Sequence, residues 1–505
     1  MTWWAALVCA DVRAAARSTM GASGGPFDSD VEDGLSWASW SSSVVVASII
    51  GATVLSYVRR RSRRGSDLPL HVKSMMSFAQ PTRRHGVGVA AQPRKRSSIA
   101  ITLDGLRSDH GLPADESDPG RSEAWRRTDA SGLAEAFATH RAGMIADCSV
   151  PHTLDGAGEA LVIERGKVVQ GGSRSEVRIW EEPPTLFLAG DRPVKDISPA
   201  VFLGNKAKVQ DPEPFAELCY LLSPVTVLEF PAGVHQLVVQ SLGGPTRLDL
   251  RVSAGARVTV LEQYGSVPMM STTKVALAED AHLDHILLQG HHHHLHTLVC
   301  RQQPTSEYRL TSVPMVLPED SPKVLTRLSA YIEQIGPGAT TTVDTLQLGL
   351  AEGHRAELHG GIIAGPGGKA RHYHRILGAC STARALCRAA VVVDRKAQQA
   401  DTEQLIRSLM LAPRFQAVVL PQLSIQADQV ACSHGAAVST VDKSMMFYLR
   451  SRGLDAAVAA RLLALGSCRE VLERIPTTAR MQLEAGIDQA ARALQAGKAQ
   501  DGGVE

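Results

Sequence analysis

Leu248-Asp-Leu-Arg-Val-Ser-Ala-Gly-Ala-Arg257-Val-Thr-Val-Leu-Glu262 and Lys274-Val-Ala-Leu-Ala-Glu-Asp-Ala-His282-Leu-Asp-His-Ile286 are two passes of one pattern. Each runs an alternating strand through a short turn into a second alternating strand. Alternation of apolar and polar residues buries one face of a strand. Ala256 and Ala281 hold the same place in their turns, 25 positions apart. A recurrence of that length is the sequence mark of stacked structural repeats.

Working outward, the strand texture returns in Thr226-Val-Leu-Glu-Phe230, Leu237-Val-Val-Gln240 and Thr345-Leu-Gln-Leu-Gly-Leu350. The turn type returns in Pro231-Ala-Gly-Val234 and Glu352-Gly-His-Arg355. A sandwich also yields many short strands, but near-identical Gly/Ala turns favour coils. The expected fold is mainly β, with a parallel β-helix over 223–432 as its core.

Past the core the period becomes helical. Val441, Met445, Met446 and Leu449 share a face, Asp442 sits in the first turn, and Gly453 stands where a helix would stop. Asp455–Leu465 and Cys468–Ile475 read as two short helices ended by Pro476, and Thr477–Leu494 as a last one. Residues 433–490 are thus a C-terminal helical domain and 491–505 a tail. Upstream, 123–222 is a helical and mixed region, with a hairpin around Gly166 and an amphipathic helix at Phe215–Leu222.

Residues 1–122 read as a targeting leader and linker. From Trp37 to Val58 no charge occurs, and Arg59-Arg-Arg-Ser-Arg-Arg64 follows. The apolar centre is shorter than the ~20 residues that span a bilayer. The next fifty residues are rich in Arg, Ser and Ala and nearly free of acid, as transit peptides are. The pair resembles a bipartite plastid leader, although acidic Asp28-Ser-Asp-Val-Glu-Asp33 is unusual for a signal peptide. A retained membrane anchor over 37–58 and a misassigned start are the alternatives.

With 53 basic and 51 acidic residues the chain carries +2, so it is no general polyanion binder and nucleic acid is not an expected partner. Eight cysteines at scattered spacings contain no CxxC pair and give no disulfide framework. Gly367-Gly-Lys-Ala370 lacks the earlier glycine and the hydroxyl of a phosphate loop. Any ATP dependence must therefore come from a partner.

The chemistry-bearing stretch is Ala427-Asp-Gln-Val-Ala-Cys432-Ser-His434-Gly-Ala436. A thiol and an imidazole two residues apart, read here as a turn at the mouth of the β scaffold, are soft ligands suited to iron–sulfur chemistry. The bland reading has Cys432 packed in the last rung and His434 bonded to a turn carbonyl. His291-His-His-His-Leu-His296 reads as a solvated turn between strands rather than a metal site. His372, His374, Cys380 and Cys387 fit no zinc spacing.

This stretch, with Phe447-Tyr-Leu-Arg-Ser-Arg-Gly453, resembles the C-terminal signature of the SufB/SufD family of iron–sulfur cluster assembly proteins, in its SufD branch. Glu123-Ala-Trp-Arg126 and Glu470-Val-Leu-Glu-Arg-Ile475 support it. The resemblance implies a right-handed parallel β-helix flanked by helical regions, and a scaffold subunit that is not an enzyme. It implies pairing with a SufB-like protein through the β-helix, and a SufC-like ATPase on the C-terminal helices around Asp442, Tyr448, Arg450 and Arg452. It places His434, with Cys432 beside it, at the subunit seam, as transient iron ligands for a nascent Fe–S cluster shared there. No cofactor is expected to stay on this subunit alone, ATP would act through the SufC-like partner, and the implied location is the plastid stroma.

Departures from the family pattern are Ser424 and Gln426 before the signature, Arg407-Ser408, and a stretch from Arg371 to Asp394 that looks short of part of a rung. A SufB-like subunit and a β-helical carbohydrate-active enzyme are the competing readings. The latter needs acids aligned on one groove, and Asp280, Asp284 and Glu352 are dispersed.

Overall fold

The computed structural model describes residues 97–109, 128, 133, 153–154, 160–164, 167–170, 177–182, 214–265, 267–320 and 323–500. Residues 1–96, with the apolar stretch 37–58, and Glu123–Arg127 lie outside the described residues, whereas 98–109, expected to belong to the leader and linker, form a helix that buries Ile99, Leu103 and Leu106. Among the described residues no helix is long and apolar enough to cross a membrane.

The chain coils into a parallel β-helix of about seven turns. Each turn gives one strand to each of two sheets, so odd and even strands separate. The coils start with β4 (Val225–Phe230), β5 (Val234–Ser241), β6 (Thr246–Val252) and β7 (Arg257–Tyr264). They finish with β15 (Lys369–Gly378), β16 (Arg384–Val393), β17 (Asp401–Met410), β18 (Gln416–Ile425) and β19 (Ala431–Thr440). Ahead of them, β1 (Leu161–Glu164) and β2 (Lys167–Gln170) form the expected hairpin. With β3 (Arg178–Glu182), β8 (Met269–Leu277), β9 (His282–Gln289), β10 (His294–Gln302), β11 (Glu307–Pro314), β12 (Leu325–Gln334), β13 (Thr340–Gly349) and β14 (Arg355–Ala364) among the strands numbered in chain order, one sheet runs β19-β17-β15-β13-β11-β9-β7-β5-β1-β2 and the other β18-β16-β14-β12-β10-β8-β6-β4-β3.

The turn alanines explain why the coils stack. Arg257 pairs with His282 in the next coil, and Ala256 and Ala281 are fully buried at the corner just before them. A larger side chain there would push the corner open. Strands lengthen from eight residues in β7 to ten in β13 (Thr340–Gly349) and beyond, so the 25-residue spacing holds only in the early coils.

Inward positions fill the lumen with one continuous core. It includes Leu228, Val260, Leu283, Leu310, Val343, Ile376 and Ile406, each worth about 1.5–3 kcal/mol when fully buried. The outer face of the odd-numbered sheet is apolar too. Leu261, Val313, Leu348 and Leu377 pack there against Ala464, Cys468, Leu472, Leu483 and Ile487. Those last residues belong to two C-terminal helices. On the even-numbered sheet the outer Met270, Leu295 and Leu325 are covered by α1 (Ser98–Asp109) and α2 (Pro214–Leu222).

Four expectations need correction. The last strand runs to Thr440, so the solenoid extends past 432. The region from Arg371 to Asp394 is a complete coil: all ten residues of β15 pair with β13 on one side and β17 on the other. His294 and His296 are not in a solvated turn but are buried in β10 (His294–Gln302). The two short helices after Asp455 are one, Ala456–Leu472, which runs straight through Gly466.

Candidate functional site

The solenoid ends in an open rung. β19 pairs only with β17 and β18 only with β16, so two ten-residue strands each leave one edge without a ladder partner among the described residues. Most of β19 is exposed, and Ile425 and Val438 are 44% and 48% exposed at this end.

Cys432 and His434 lie within β19, not in a turn. The turn is the preceding stretch 426–430. Thr402 pairs with Cys432, Gln404 with His434 and Ile406 with Ala436. Since Thr402, Gln404 and Ile406 are the buried, inward residues of β17, Cys432 and His434 share the lumen side of the sheet. His434 is exposed, while Cys432 is half-buried against Ala364, Val393, Ala400 and Ala427.

Below His434 the ladder stacks Gln404, His372 and Val343 in one column. The Gln404 amide oxygen and nitrogen, Thr402 Oγ1 and Ser408 Oγ are buried without a hydrogen-bond partner among the described residues. Unpaired buried polar atoms cost about 1–3 kcal/mol each. The lumen just under the open rung is therefore polar and unsatisfied.

Two soft donors are half of a tetrahedral set. Among the described residues no three of His, Cys, Asp and Glu are grouped to hold a metal. His372 and His374 point into the lumen, and burial lowers the His372 imidazole to about 3. Cys387 is buried on β16, where burial pushes its thiol far up.

Beyond the rung, α3 (Lys443–Ser451) is capped by Asp442, whose carboxylate accepts from Ser444 N at 2.8 Å, and ends before Gly453 at φ +90°. It has no buried residue. Met445, Phe447 and Tyr448 are all at least half exposed, with Phe447 at 75%. The Arg452 guanidinium lies 5.0 Å from the Tyr448 ring centre, and Arg450 occupies the last turn. Asp442, Tyr448, Arg450 and Arg452 thus sit on or beside one uncovered helix. It is followed by α4 (Ala456–Leu472) and α5 (Thr477–Gln500), which cover the sheet.

A second polar cluster lies deep in the lumen of the early coils; its Glu262, Tyr264, Ser271, Thr273 and His285 escaped the sequence reading, which took its His294 and His296 for part of a solvated turn. The Glu262 carboxylate accepts from His285 Nε2 and Thr273 Oγ1, both at 2.8 Å, and from the Tyr264 hydroxyl. Ser271 Oγ lies 2.7 Å from both His294 Nε2 and His296 Nδ1. Burial alone would raise the Glu262 carboxyl. The His285 hydrogen bond and the nearby His296 outweigh it and hold the group at about 2. Burial lowers His296 to about 4, against the opposing pull of Glu262.

Comparison with known proteins places the solenoid. Residues 239–467 match the family described as SUF system FeS cluster assembly, SufBD core domain. These coils are thus similar to a SufBD core. The chain is 32% identical over 240 residues to Protein ABCI7, chloroplastic, of Arabidopsis thaliana, a match covering 46% of this chain and 49% of that protein. It is 30% identical over 249 residues to an iron–sulfur cluster assembly SufBD family protein of Synechocystis, covering 46% and 53%. Over 92 residues it is 33% identical to the iron–sulfur cluster assembly protein SufD of Escherichia coli, covering 18% and 22%. The chain thus spans about half the length of the first two relatives. The SufBD core match takes in β19, α3 and most of α4, and with them Cys432, His434 and Asp442.

Proposed function

We propose that this chain is a non-catalytic scaffold subunit of plastid iron–sulfur cluster assembly, of SufD type. It pairs end-on with a SufB-like subunit and carries a SufC-like ATPase on its exposed C-terminal helix. The observation that carries this reading is the open rung. Two long strand edges, two exposed aliphatics and an unsatisfied lumen meet where a thiol and an imidazole face the same way.

A bare edge of that length favours strand addition by a partner. The partner supplies the ligands that Cys432 and His434 lack, and the nascent cluster, as cargo, forms between them with sulfur delivered from the SufB-like side. ATP acts through the SufC-like protein, for which the exposed Met445, Phe447 and Tyr448 of α3 offer an apolar footing. The chloroplastic relative and the Arg- and Ser-rich leader both favour a plastid location.

The test is co-expression with SufB-like and SufC-like proteins, affinity capture on this chain, and anaerobic cluster reconstitution read by visible absorption. The expected result is a three-protein complex that builds clusters, with His434→Ala retained in the complex but slower to build them. Recovery of neither partner, or cluster formation unaffected by His434→Ala in the folded complex, overturns the reading.

A further inference from the structure

On the outer face of the odd-numbered sheet, away from the open rung's lumen side, a cleft of about 240 Å3 lies between the strands and α4. Its charged lining residues are Arg375 on β15, Arg407 on β17 and Glu470 on α4, and Ser439 and Ser467 add hydroxyls. We infer that this cleft is a binding site for a small oxyanion of the phosphate or sulfate class.

The argument begins with the ladder. Arg375 pairs with Arg407 in adjacent parallel strands, and the next residue up the column is Ala437. Two like charges on neighbouring strands repel, and Ala437 leaves empty the volume that a third long side chain would fill. Among the described residues Glu470 pairs only with Arg375, through its Nη2. Arg407 is exposed, with no ion pair or hydrogen bond among the described residues. The group therefore carries one positive charge in excess.

The second observation is independent of charge counting. Arg375 is only 7% exposed, and its Nη1 is buried without any hydrogen-bond partner among the described residues. A guanidinium has five N–H donors in a fixed fork, and leaving one buried and unused is costly. An oxyanion seated in the cleft satisfies that donor and balances the second arginine, in the two-point contact that guanidinium groups make with oxyanions.

The helix is shaped for such an occupant. Gly466 lines the cleft from within α4, and a Cβ built on it meets nothing within 4 Å. Glycine in a helix interior is disfavoured against alanine, so its presence keeps open a space that a side chain would close. One water needs only about 10–15 Å3 of such room, so the cleft admits an oxyanion with several waters. Bound there, the anion ties α4 to β15 and β17, joining the C-terminal helices to the solenoid.

The experiment titrates the full chain with inorganic phosphate, sulfate and glycerol 3-phosphate at constant ionic strength, with chloride as the control. Binding is read by calorimetry and by the shift in melting temperature. Arg407→Gln removes the exposed cation, Gly466→Leu fills the cleft while keeping every charge, and Arg414→Gln is an exposed arginine outside it. Saturable binding that raises the melting temperature is expected, weakened by about tenfold or more in Arg407→Gln and Gly466→Leu and unchanged in Arg414→Gln. Binding of glycerol 3-phosphate as well as phosphate identifies an esterified phosphoryl group as a ligand, and binding of the inorganic ions alone identifies a free oxyanion. No saturable binding beyond chloride, or equal binding in all three variants, overturns the proposal.

Discussion

His285 donates a hydrogen bond from Nε2 to the Glu262 carboxylate one coil away, at 2.8 Å, and both side chains are wholly buried. Because the carboxylate is ionised, Nε2 carries the proton and Nδ1 is left to accept from the Tyr308 hydroxyl at 3.1 Å. The pair thus links three successive odd strands through the lumen. Glu262→Ala strips Thr273, Tyr264 and His285 of their common acceptor. The expected loss is about 3–5 kcal/mol, and Glu262→Gln, which keeps the shape, loses about 1–3 kcal/mol. Urea midpoints of the two variants check the order. Equal midpoints would remove the carboxylate from any structural role.

Acid should weaken the fold well before carboxylates protonate. Burial holds His296 and His354 at about 4 and His372 at about 3. Each stays neutral in the folded state while the unfolded chain takes up a proton below about pH 6.5. Between pH 6.5 and 4 the unfolded state therefore binds more protons, and stability falls with falling pH. The three together cost on the order of 4 kcal/mol by pH 5.5. Glu262 acts in the same direction but lower, as pH falls from about 4.5 toward 2. Melting temperatures at pH 7.5, 6.5 and 5.5 check this, and a flat profile would contradict the neutral, buried assignment.

Phe415 plugs the late coils by lying over two glycines. A Cβ on Gly378 or on Gly349 would collide with its ring, which is only 5% exposed. Gly378→Ala is expected to destabilise by about 1–3 kcal/mol through overpacking. Phe415→Leu in the same chain should recover part of that loss. A double-mutant cycle with no coupling would show that the ring moves aside freely.

At the open rung, stability and function should separate. His434 is exposed and makes no side-chain hydrogen bond among the described residues, so His434→Ala should change stability by no more than about 0.5 kcal/mol. If the proposed function holds, its effect appears in cluster yield. Phe447→Asp on α3 should likewise spare the fold, since that helix buries nothing, while weakening capture of the ATPase. Point changes suit this test better than removing 440–505. That deletion would uncover the apolar outer sheet that α4 and α5 protect.

What could be read in the chain follows from where the physics is local. The Ala256 and Ala281 corners announce themselves because a small residue at a tight corner sits between alternating strands. Later coils lose the 25-residue beat, since their strands are longer and their turns vary. His294 and His296 resemble a solvated run because a polar lumen gives buried positions no apolar signature. β19 hides for the opposite reason: with no coil above it, Ala431–Thr440 has no pressure toward large apolar side chains. Gly466 looks like a helix stop and is not one, because its lack of a side chain serves the space beside it. Cys432 and His434 were legible as residues and as a pair, but their shared lumen face depends on register with Thr402 and Gln404, which only the coiled chain supplies.

The bare strand edges at β18 and β19 carry a consequence for handling the isolated chain. A coil that can template another coil does not distinguish a proper mate from a second copy of itself. Without a mate on that edge, the molecule is exposed to growth by end-to-end accretion, and rising concentration should drive it into rods. Heterodimer formation would then act as a terminator of polymerisation as well as a means of assembling a site.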